Sequence, residues 1–260
     1  LKENVNYLSE FSQLGFGSFT KKNFFKDIIR NFLLLIIFGK KVFKTETYQK
    51  YKLTFNKIGR FVDNDTMRHV NVFEKIKKIL DPKTICIIGD GKLNSVLGAN
   101  LTFPKATIFS VNLSETLIND YLIIKKLNTK LADSIALIDK DEFTIADKTL
   151  YLVPANFKKF LLNKKIDLFI NIGSFQEMTV NEVSEYFKII ANNKSKLYCC
   201  NREYKKLFGG EELIFDKYPW SNSKRIFWED CPWHKKYYIK KFPFIVKYAG
   251  NMKHCLVDFS

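Results

Sequence analysis

The stretch ICIIGDGKLNSVLG, Ile85 to Gly98, decides the fold. Four apolar residues run into a Gly-Asp-Gly turn, and the chain continues as a helix from about Asn94. Runs apolar on both faces are strands covered on both sides. A glycine turn between such a strand and a helix lets backbone N–H groups and the helix N-terminus approach a ligand closely. Similar runs follow: ATIFSV at 106–111, TLYLV at 149–153, IDLFINI at 166–172 and KLYCC at 196–200. Between them SETLINDYLIIKKL, NFKKFLLNKK and TVNEVSEYFKIIANN carry apolar residues three and four apart. Strand, helix, strand in repetition predicts an α/β fold with a mostly parallel sheet.

Outward from this core the pattern changes. Residues 1–80 read as a helical N-terminal extension and 81–260 as the α/β domain. The extension ends in DTMRHVNVFEKIKKIL, where Met67, Val70, Phe73, Ile76 and Leu80 recur at helical spacing, Asp65 offers a cap, and Asp81-Pro82 stops the helix. The most apolar window, NFLLLIIFG at 31–39, is far shorter than the ~20 residues of a membrane span. It lies inside the chain with no small-residue cleavage site behind it, unlike a signal peptide, and reads as a buried helix. Residues 128–148 suit an extra helix or a hairpin equally. Beyond Gly210, ELIF and HCLVDF read as late strands. Leu rather than Met at position 1 suggests a piece of a longer chain.

With 46% hydrophobic residues in 260, one substantial core and an appended element can be buried. The five cysteines, Cys86, Cys199, Cys200, Cys231 and Cys255, include no C-x-x-C pair and read as reduced, mostly buried thiols of a cytoplasmic protein. The formal charge is +16, and within residues 1–80 Lys and Arg outnumber Asp and Glu by 16 to 7. Abundant Lys, Asn, Ile and Phe also follow from an AT-rich genome, so charge alone does not indicate nucleic acid. Peripheral membrane contact through the basic N-terminal region is the anionic partnership that stays open.

Three ligand classes use a turn such as Gly89-Asp90-Gly91. A nucleoside triphosphate loop, G-x-x-x-x-G-K-[ST], would place its first glycine at Cys86 and its hydroxyl at Leu93, and fails twice. A nicotinamide or flavin fingerprint needs a third glycine where Asn94 stands, and a carboxylate where Asn112 stands. The adenosyl donor of class I methyltransferases carries no pyrophosphate and tolerates a looser loop.

Three further stretches carry a resemblance to that last class. FSVNLSETLINDYLI, 109–123, resembles its second strand and following helix, with Asn112 where the family has an Asp. LVPANF, 152–157, lies where the family contacts adenine. DLFINIGSFQEM, 167–178, followed by EVSEYFKII, resembles the fourth strand and S-F-Q-E-M segment of the sugar O-methyltransferase family. YCCNREYKKLFGGEELIFDKYPW, 198–220, continues the match with the N-R pair and Y-P-W. The resemblance spans roughly residues 65–235. It implies a Rossmann-like class I methyltransferase sheet with a late antiparallel strand, S-adenosyl-L-methionine as cofactor, and methyl transfer to a hydroxyl of a small-molecule or glycan acceptor. Donor contacts then fall to Gly89, Asp90, Gly91, Asn112, Leu113, Ala155, Asn171 and Gly173. The chain departs from the family at Ile87, where an acidic residue is usual, at Leu93, the third loop glycine, and at Asn112, the ribose carboxylate.

A sugar hydroxyl must lose its proton. Glu177, on the rim beyond the fourth strand, is the first candidate base, although a carboxylate there also suits the start of the next helix. His234 in WEDCPWHKKY is the second, beside Trp228 and Trp233, whose faces suit a sugar ring. Gln176, His69 and Trp233 are the candidate acceptor contacts, and His254 reads as peripheral. No metal site is indicated, since Asp230 and His234 share a face only in a helix that Pro232 opposes. Competing readings are a nicotinamide-dependent oxidoreductase and a non-catalytic binding protein with the same fold.

Overall fold

The computed structural model describes residues 24–57, 59–127, 130–139, 149–239 and 241–260. They form two compact units, residues up to Ile79 with Lys236–Lys247, and Leu80–Lys235 with Tyr248–Ser260. Residues 236–247 thus group apart from the continuous 81–260 domain read from the sequence.

The first unit holds helices α1 (Phe24–Phe38), α2 (Lys40–Phe43), α3 (Glu46–Lys57) and α4 (Asn64–Ile76). On α4, Met67, Val70, Phe73 and Ile76 are buried as their spacing predicts. The cap is Asp63 rather than Asp65: its Oδ1 accepts from the Thr66 N–H at 2.8 Å and from the Thr66 hydroxyl at 2.8 Å. Asp65 instead pairs with the Arg68 guanidinium one turn on, at 2.9 Å. The helix ends at Ile76, ahead of Asp81-Pro82, where the Lys77 N–H closes on the Phe73 carbonyl at 3.0 Å.

The expectation that α1 is a buried helix is corrected. Leu34 is buried, but Phe25, Ile28, Ile29, Phe32 and Ile36 are exposed, Phe25 by 75% and Phe32 by 60%. A helix apolar nearly all round needs partners on two sides, and among the described residues one side is covered. Among those residues no helix is long and apolar enough to cross a membrane.

The second unit follows the predicted alternation. Its elements are β1 (Thr84–Ile88), α5 (Asn94–Thr102), β2 (Thr107–Asn112), α6 (Ser114–Leu127), α7 (Lys130–Asp133), β3 (Ile135–Leu137) and β4 (Leu150–Pro154). A 3-10 helix, Ala155–Asn163, leads to β5 (Leu168–Ile172), and a second one, Phe175–Glu177, leads to α8 (Val180–Asn192). Then come β6 (Lys196–Arg202), β7 (Tyr204–Lys206), β8 (Glu212–Ile214) and β9 (Lys224–Asp230). The chain returns to the first unit for the hairpin β10 (Lys236–Tyr238) and β11 (Ile245–Lys247), and comes back as β12 (Met252–Asp258).

The eight-stranded sheet has the order β3-β4-β2-β1-β5-β6-β12-β9. Strands β3 to β6 run parallel, and β12 is antiparallel to both β6 and β9. In the described part of 128–148 lie α7 and the edge strand β3, which pairs parallel with β4. Residues 140–148 lie outside the described residues.

Alternate residues of each strand face opposite sides, as a period of two requires. Cys86, Ile88, Phe109, Val111, Phe169 and Leu197 form one core with Phe160 and Leu161 of the first 3-10 helix and Val183, Phe187 and Ile190 of α8. Helices α5 and α6 cover the other face, as right-handed crossovers dictate. Each large apolar side chain so buried contributes roughly 1.5–3 kcal/mol. From β1 the chain winds outward through β2 and β4 on one side and through β5 and β6 on the other. The strand order therefore reverses between β1 and β5, where open α/β sheets form a crevice beyond the strand ends.

Candidate functional site

The Gly-Asp-Gly turn stands at that reversal. Gly89 has φ +70°, and its N–H donates to the Val111 carbonyl at 2.8 Å. A Cβ at Gly89 would overlap the Cβ and Oγ of Ser174, at the end of the neighbouring β5 segment. Two strand ends thus meet here with no room for a methyl. Gly91 is the opposite case, since a Cβ there would meet nothing within 4 Å. Asp90 is buried, and its Oδ2 accepts from the Val96 N–H at 2.8 Å, capping the first turn of α5. Leu93 is buried with φ 58° and ψ 17°, so it keeps the left-handed backbone that a glycine would adopt there.

The end of β2 is tied to the same turn. Asn112 Nδ2 donates to the Asp90 carbonyl at 3.0 Å, while its Oδ1 accepts from the Leu113 N–H at 3.0 Å. A carboxylate could not make the first bond, so the departure from Asp has a local cause. Leu113 projects from the rim, 65% exposed. Ala155, half-buried, opens the 3-10 helix beyond β4.

Beneath the turn lies a buried polar network. Asn171 is fully buried; its Nδ2 donates to the Ile88 carbonyl at 3.1 Å and to Ser174 Oγ, and its Oδ1 accepts from the Phe175 N–H at 3.2 Å and from Asn201 Nδ2 at 2.7 Å. Ser174 Oγ also donates to the Ile88 carbonyl at 2.8 Å. Asn201 Oδ1 accepts from the Gln176 N–H at 3.2 Å, and Gln176 Oε1 accepts from the Arg202 N–H at 2.9 Å. Gly173, φ +76°, donates its N–H to the Cys200 carbonyl at 2.8 Å. Gln176 thus braces this loop against β6, and Glu177 next to it is exposed. Ser174 and Asn201 were not singled out from the sequence, although both lie inside stretches that carry the resemblance.

No protein-family model matches the sequence, and no curated protein matches it. Among solved structures, geranyl diphosphate methyltransferase in complex with SAM superposes with a TM-score of 0.52 at 9% identity, over 86% of this chain and 94% of that one. TrmK of M. capricolum with S-adenosyl-homocysteine gives 0.42 at 10% identity, over 73% and 68%. Precorrin-6y C5,15-methyltransferase of Geobacter metallireducens gives 0.41 at 15% identity, over 74% and 85%. The sheet has the Rossmann-like methyltransferase fold.

On this methyltransferase-like sheet Gly89, Asp90, Asn112, Asn171 and Gly173 are brought together around the ends of β1, β2 and β5, with Gly91, Leu113 and Ala155 in the loops that follow the strands. Gln176 and Glu177 share the loop after β5. His69 belongs to the other unit, where its Nδ1 lies 2.7 Å from the Asp65 carbonyl one turn earlier.

His234 is buried, with Nδ1 3.0 Å from Cys231 Sγ and 3.8 Å from Cys200 Sγ. Asp230 ends β9, so it shares no helix face with His234. The Trp228 ring is packed by Phe215 at 5.2 Å, Trp220 at 4.9 Å and the Arg225 guanidinium at 4.1 Å. Trp233 lies edge-to-face with His254 at 4.9 Å.

His254 is fully buried on β12, the strand enclosed between β6 and β9. Its Nδ1 lies 3.0 Å from the Tyr198 hydroxyl, and its Nε2 lies 3.0 Å from Glu229 Oε1. Burial pushes the Tyr198 hydroxyl well above its ordinary pKa, so that hydroxyl stays neutral. Burial likewise raises the Cys86, Cys199 and Cys255 thiols.

Proposed function

We propose that the chain is an S-adenosylmethionine-dependent O-methyltransferase that methylates a hydroxyl of a sugar or glycan precursor. The observation that carries the reading is the Gly89-Asp90-Gly91 turn at the strand-order reversal, braced from three strand ends and open in front of Gly91. A backbone without Cβ at Gly91 suits the close approach of a ligand. The fold likeness to a methyltransferase solved with SAM supports the choice of donor. The resemblance of the SFQEM segment is what points to a sugar.

The donor, when bound, supplies a methyl group on a positively charged sulfur. The chain's part is to align an acceptor oxygen with it and to take the hydroxyl proton; alignment is worth up to ~7–11 kcal/mol of barrier. The turn at 89–91 and the N-terminus of α5 are the proposed cradle, with Leu113 and Ala155 as apolar walls and Asn171 and Gly173 as the floor. Asn112 acts in this reading by holding the Asp90 carbonyl. Glu177, exposed on the rim, is the proposed base, and Gln176 shapes the acceptor side by fixing the loop. His69 and Trp233 stay proposed acceptor contacts. His234, buried beside two thiols, is the weaker base. The buried thiols suit a cytoplasmic setting.

Calorimetry with S-adenosylhomocysteine and with NAD, followed by labelled donor with a panel of nucleotide sugars and glycans, tests the proposal. Binding of NAD alone would replace it with an oxidoreductase, which the buried Asn94 at the third glycine position disfavours. Absence of any donor binding would favour the non-catalytic reading, for which the engaged amide of Asn112 is the supporting observation.

A further inference from the structure

Beyond the glycine turn, three buried side chains converge at the same end of the sheet. Cys200 lies on β6. Cys231 follows β9 and opens the turn Cys231-Pro232-Trp233-His234, which the His234 N–H closes onto the Cys231 carbonyl at 3.4 Å. The Cys231 N–H donates to the Met252 carbonyl at 2.7 Å, which fixes the turn on β12. His234 Nδ1 lies 3.0 Å from Cys231 Sγ and 3.8 Å from Cys200 Sγ, and all three donor atoms fall within 4.8 Å of one another. The three residues are buried, and the His234 ring is held edge-to-face by Tyr248 at 5.5 Å.

These separations lie close to the edges of a metal tetrahedron. Zinc bonds of about 2.3 Å to sulfur and about 2.0–2.1 Å to nitrogen, at tetrahedral angles, set S···N edges of about 3.6 Å and S···S edges of about 3.8 Å. The two S···N distances straddle that value, so side-chain rotations that move the donor atoms by roughly half an ångström bring both to it. Two thiolates and an imidazole are a donor set that selects zinc over calcium or magnesium.

We propose that Cys200, Cys231 and His234 bind one zinc ion. Two protons leave the thiols as the two sulfur–zinc bonds form, and pass to solvent. Among the described residues three ligands converge. The ion cross-links β6 to the turn after β9. Because the Cys200 carbonyl holds the Gly173 N–H, it also stiffens the rim beside the glycine turn. The proposal is independent of the donor: zinc binding stands or falls whether or not S-adenosylhomocysteine binds.

The test uses the full chain, purified untagged without chelator. Elemental analysis is expected to find one zinc ion per chain. Cobalt(II) added to the metal-free protein is expected to give sulfur-to-metal charge-transfer absorption and visible bands of tetrahedral intensity. Cys200→Ser, Cys231→Ser and His234→Ala should each weaken zinc binding at least about tenfold. Cys255→Ser, on the opposite face of the sheet, should leave it unchanged. A wild-type chain with native circular dichroism that holds no zinc and gives no cobalt spectrum overturns the proposal. So does a Cys200–Cys231 disulfide found by mass spectrometry before reduction, or zinc content that survives all three substitutions.

Discussion

Substituting Gly89→Ala tests whether the glycine turn is held by the close meeting of two strand ends. The left-handed φ of +70° costs an L-residue roughly 1–2 kcal/mol. Forcing a methyl onto the Ser174 Cβ and Oγ adds the roughly 1–3 kcal/mol of an overpacked site. The expected loss is therefore about 2–5 kcal/mol. Ser174→Gly removes both opposing atoms and forfeits the hydrogen bonds to the Ile88 carbonyl and from the Asn171 amide, roughly 0.5–1.5 kcal/mol each, while Asn171 still donates to that carbonyl. In the double variant the overlap is gone while the backbone cost and the loss at Ser174 persist, so it should be about 1–3 kcal/mol more stable than the sum of the single losses. Urea unfolding followed by tryptophan fluorescence reads this directly, because Trp220, Trp228 and Trp233 all lie in the sheet unit. Gly91→Ala, facing open space, is the control and should stay within ~0.5 kcal/mol of wild type. Additivity of the two losses within about 0.5 kcal/mol would refute the contact.

Gly91→Arg should lower S-adenosylhomocysteine affinity at least about tenfold in calorimetry, since orientation in the cradle is lost, and leave the urea midpoint unchanged; unaltered binding removes the turn from the donor site. Asn112→Asp places a carboxylate against the Asp90 carbonyl and leaves the turn without its donor, a loss of roughly 1–3 kcal/mol. Its donor affinity should fall, and a rise would restore the ribose-contact reading. Glu177→Gln should lower turnover about 10²- to 10⁴-fold at unchanged S-adenosylhomocysteine affinity, with near-full turnover in the labelled-donor assay excluding Glu177 as base. Wild-type chain should sediment with anionic vesicles through the exposed face of α1, beside Lys26, Lys40 and Lys41, and Phe32→Asp should abolish this; equal sedimentation of the variant would exclude that face.

The central sheet was legible because strands buried on both faces must be apolar throughout, and β1, β2, β4, β5 and β6 each fall within a residue or two of a predicted run. What sequence spacing could not show is which face a residue takes and what lies opposite. Cys199 and Cys200 are neighbours in one apolar run. The pleat sends Cys199 into the core with Cys255 and sets Cys200 beside His234, thirty-odd residues further along the chain. His254 is fully buried because β12 inserts between β6 and β9, a placement that the spacing of HCLVDF does not show. The α1 window announced an apolar helix, but hydropathy carries no information on how many sides a partner covers. Asp63 and Asp65 are equally good capping residues by type, and the choice between them depends on where the backbone leaves the extended region.

The departures at Leu93 and Asn112 have one physical meaning when taken together. A glycine-rich loop reaches its shape because its backbone is permissive, and has to be held there by the ligand or by neighbours. In this chain the neighbours do it. Asp90 caps α5, Asn112 clamps the Asp90 carbonyl from β2, Ser174 closes over Gly89 from β5, and Asn171 ties Ile88 to the loop below. Leu93 supplies the left-handed residue, and its buried side chain offsets a backbone cost of roughly 1–2 kcal/mol. The turn is therefore preorganised by side chains from several strands, and a preorganised cradle spends less binding energy on ordering itself. Missing glycines and a missing carboxylate do not on this account mark a decayed site. If the turn is the donor cradle proposed above, its rigidity comes from the scaffold, and it should hold the same loop conformation with and without donor.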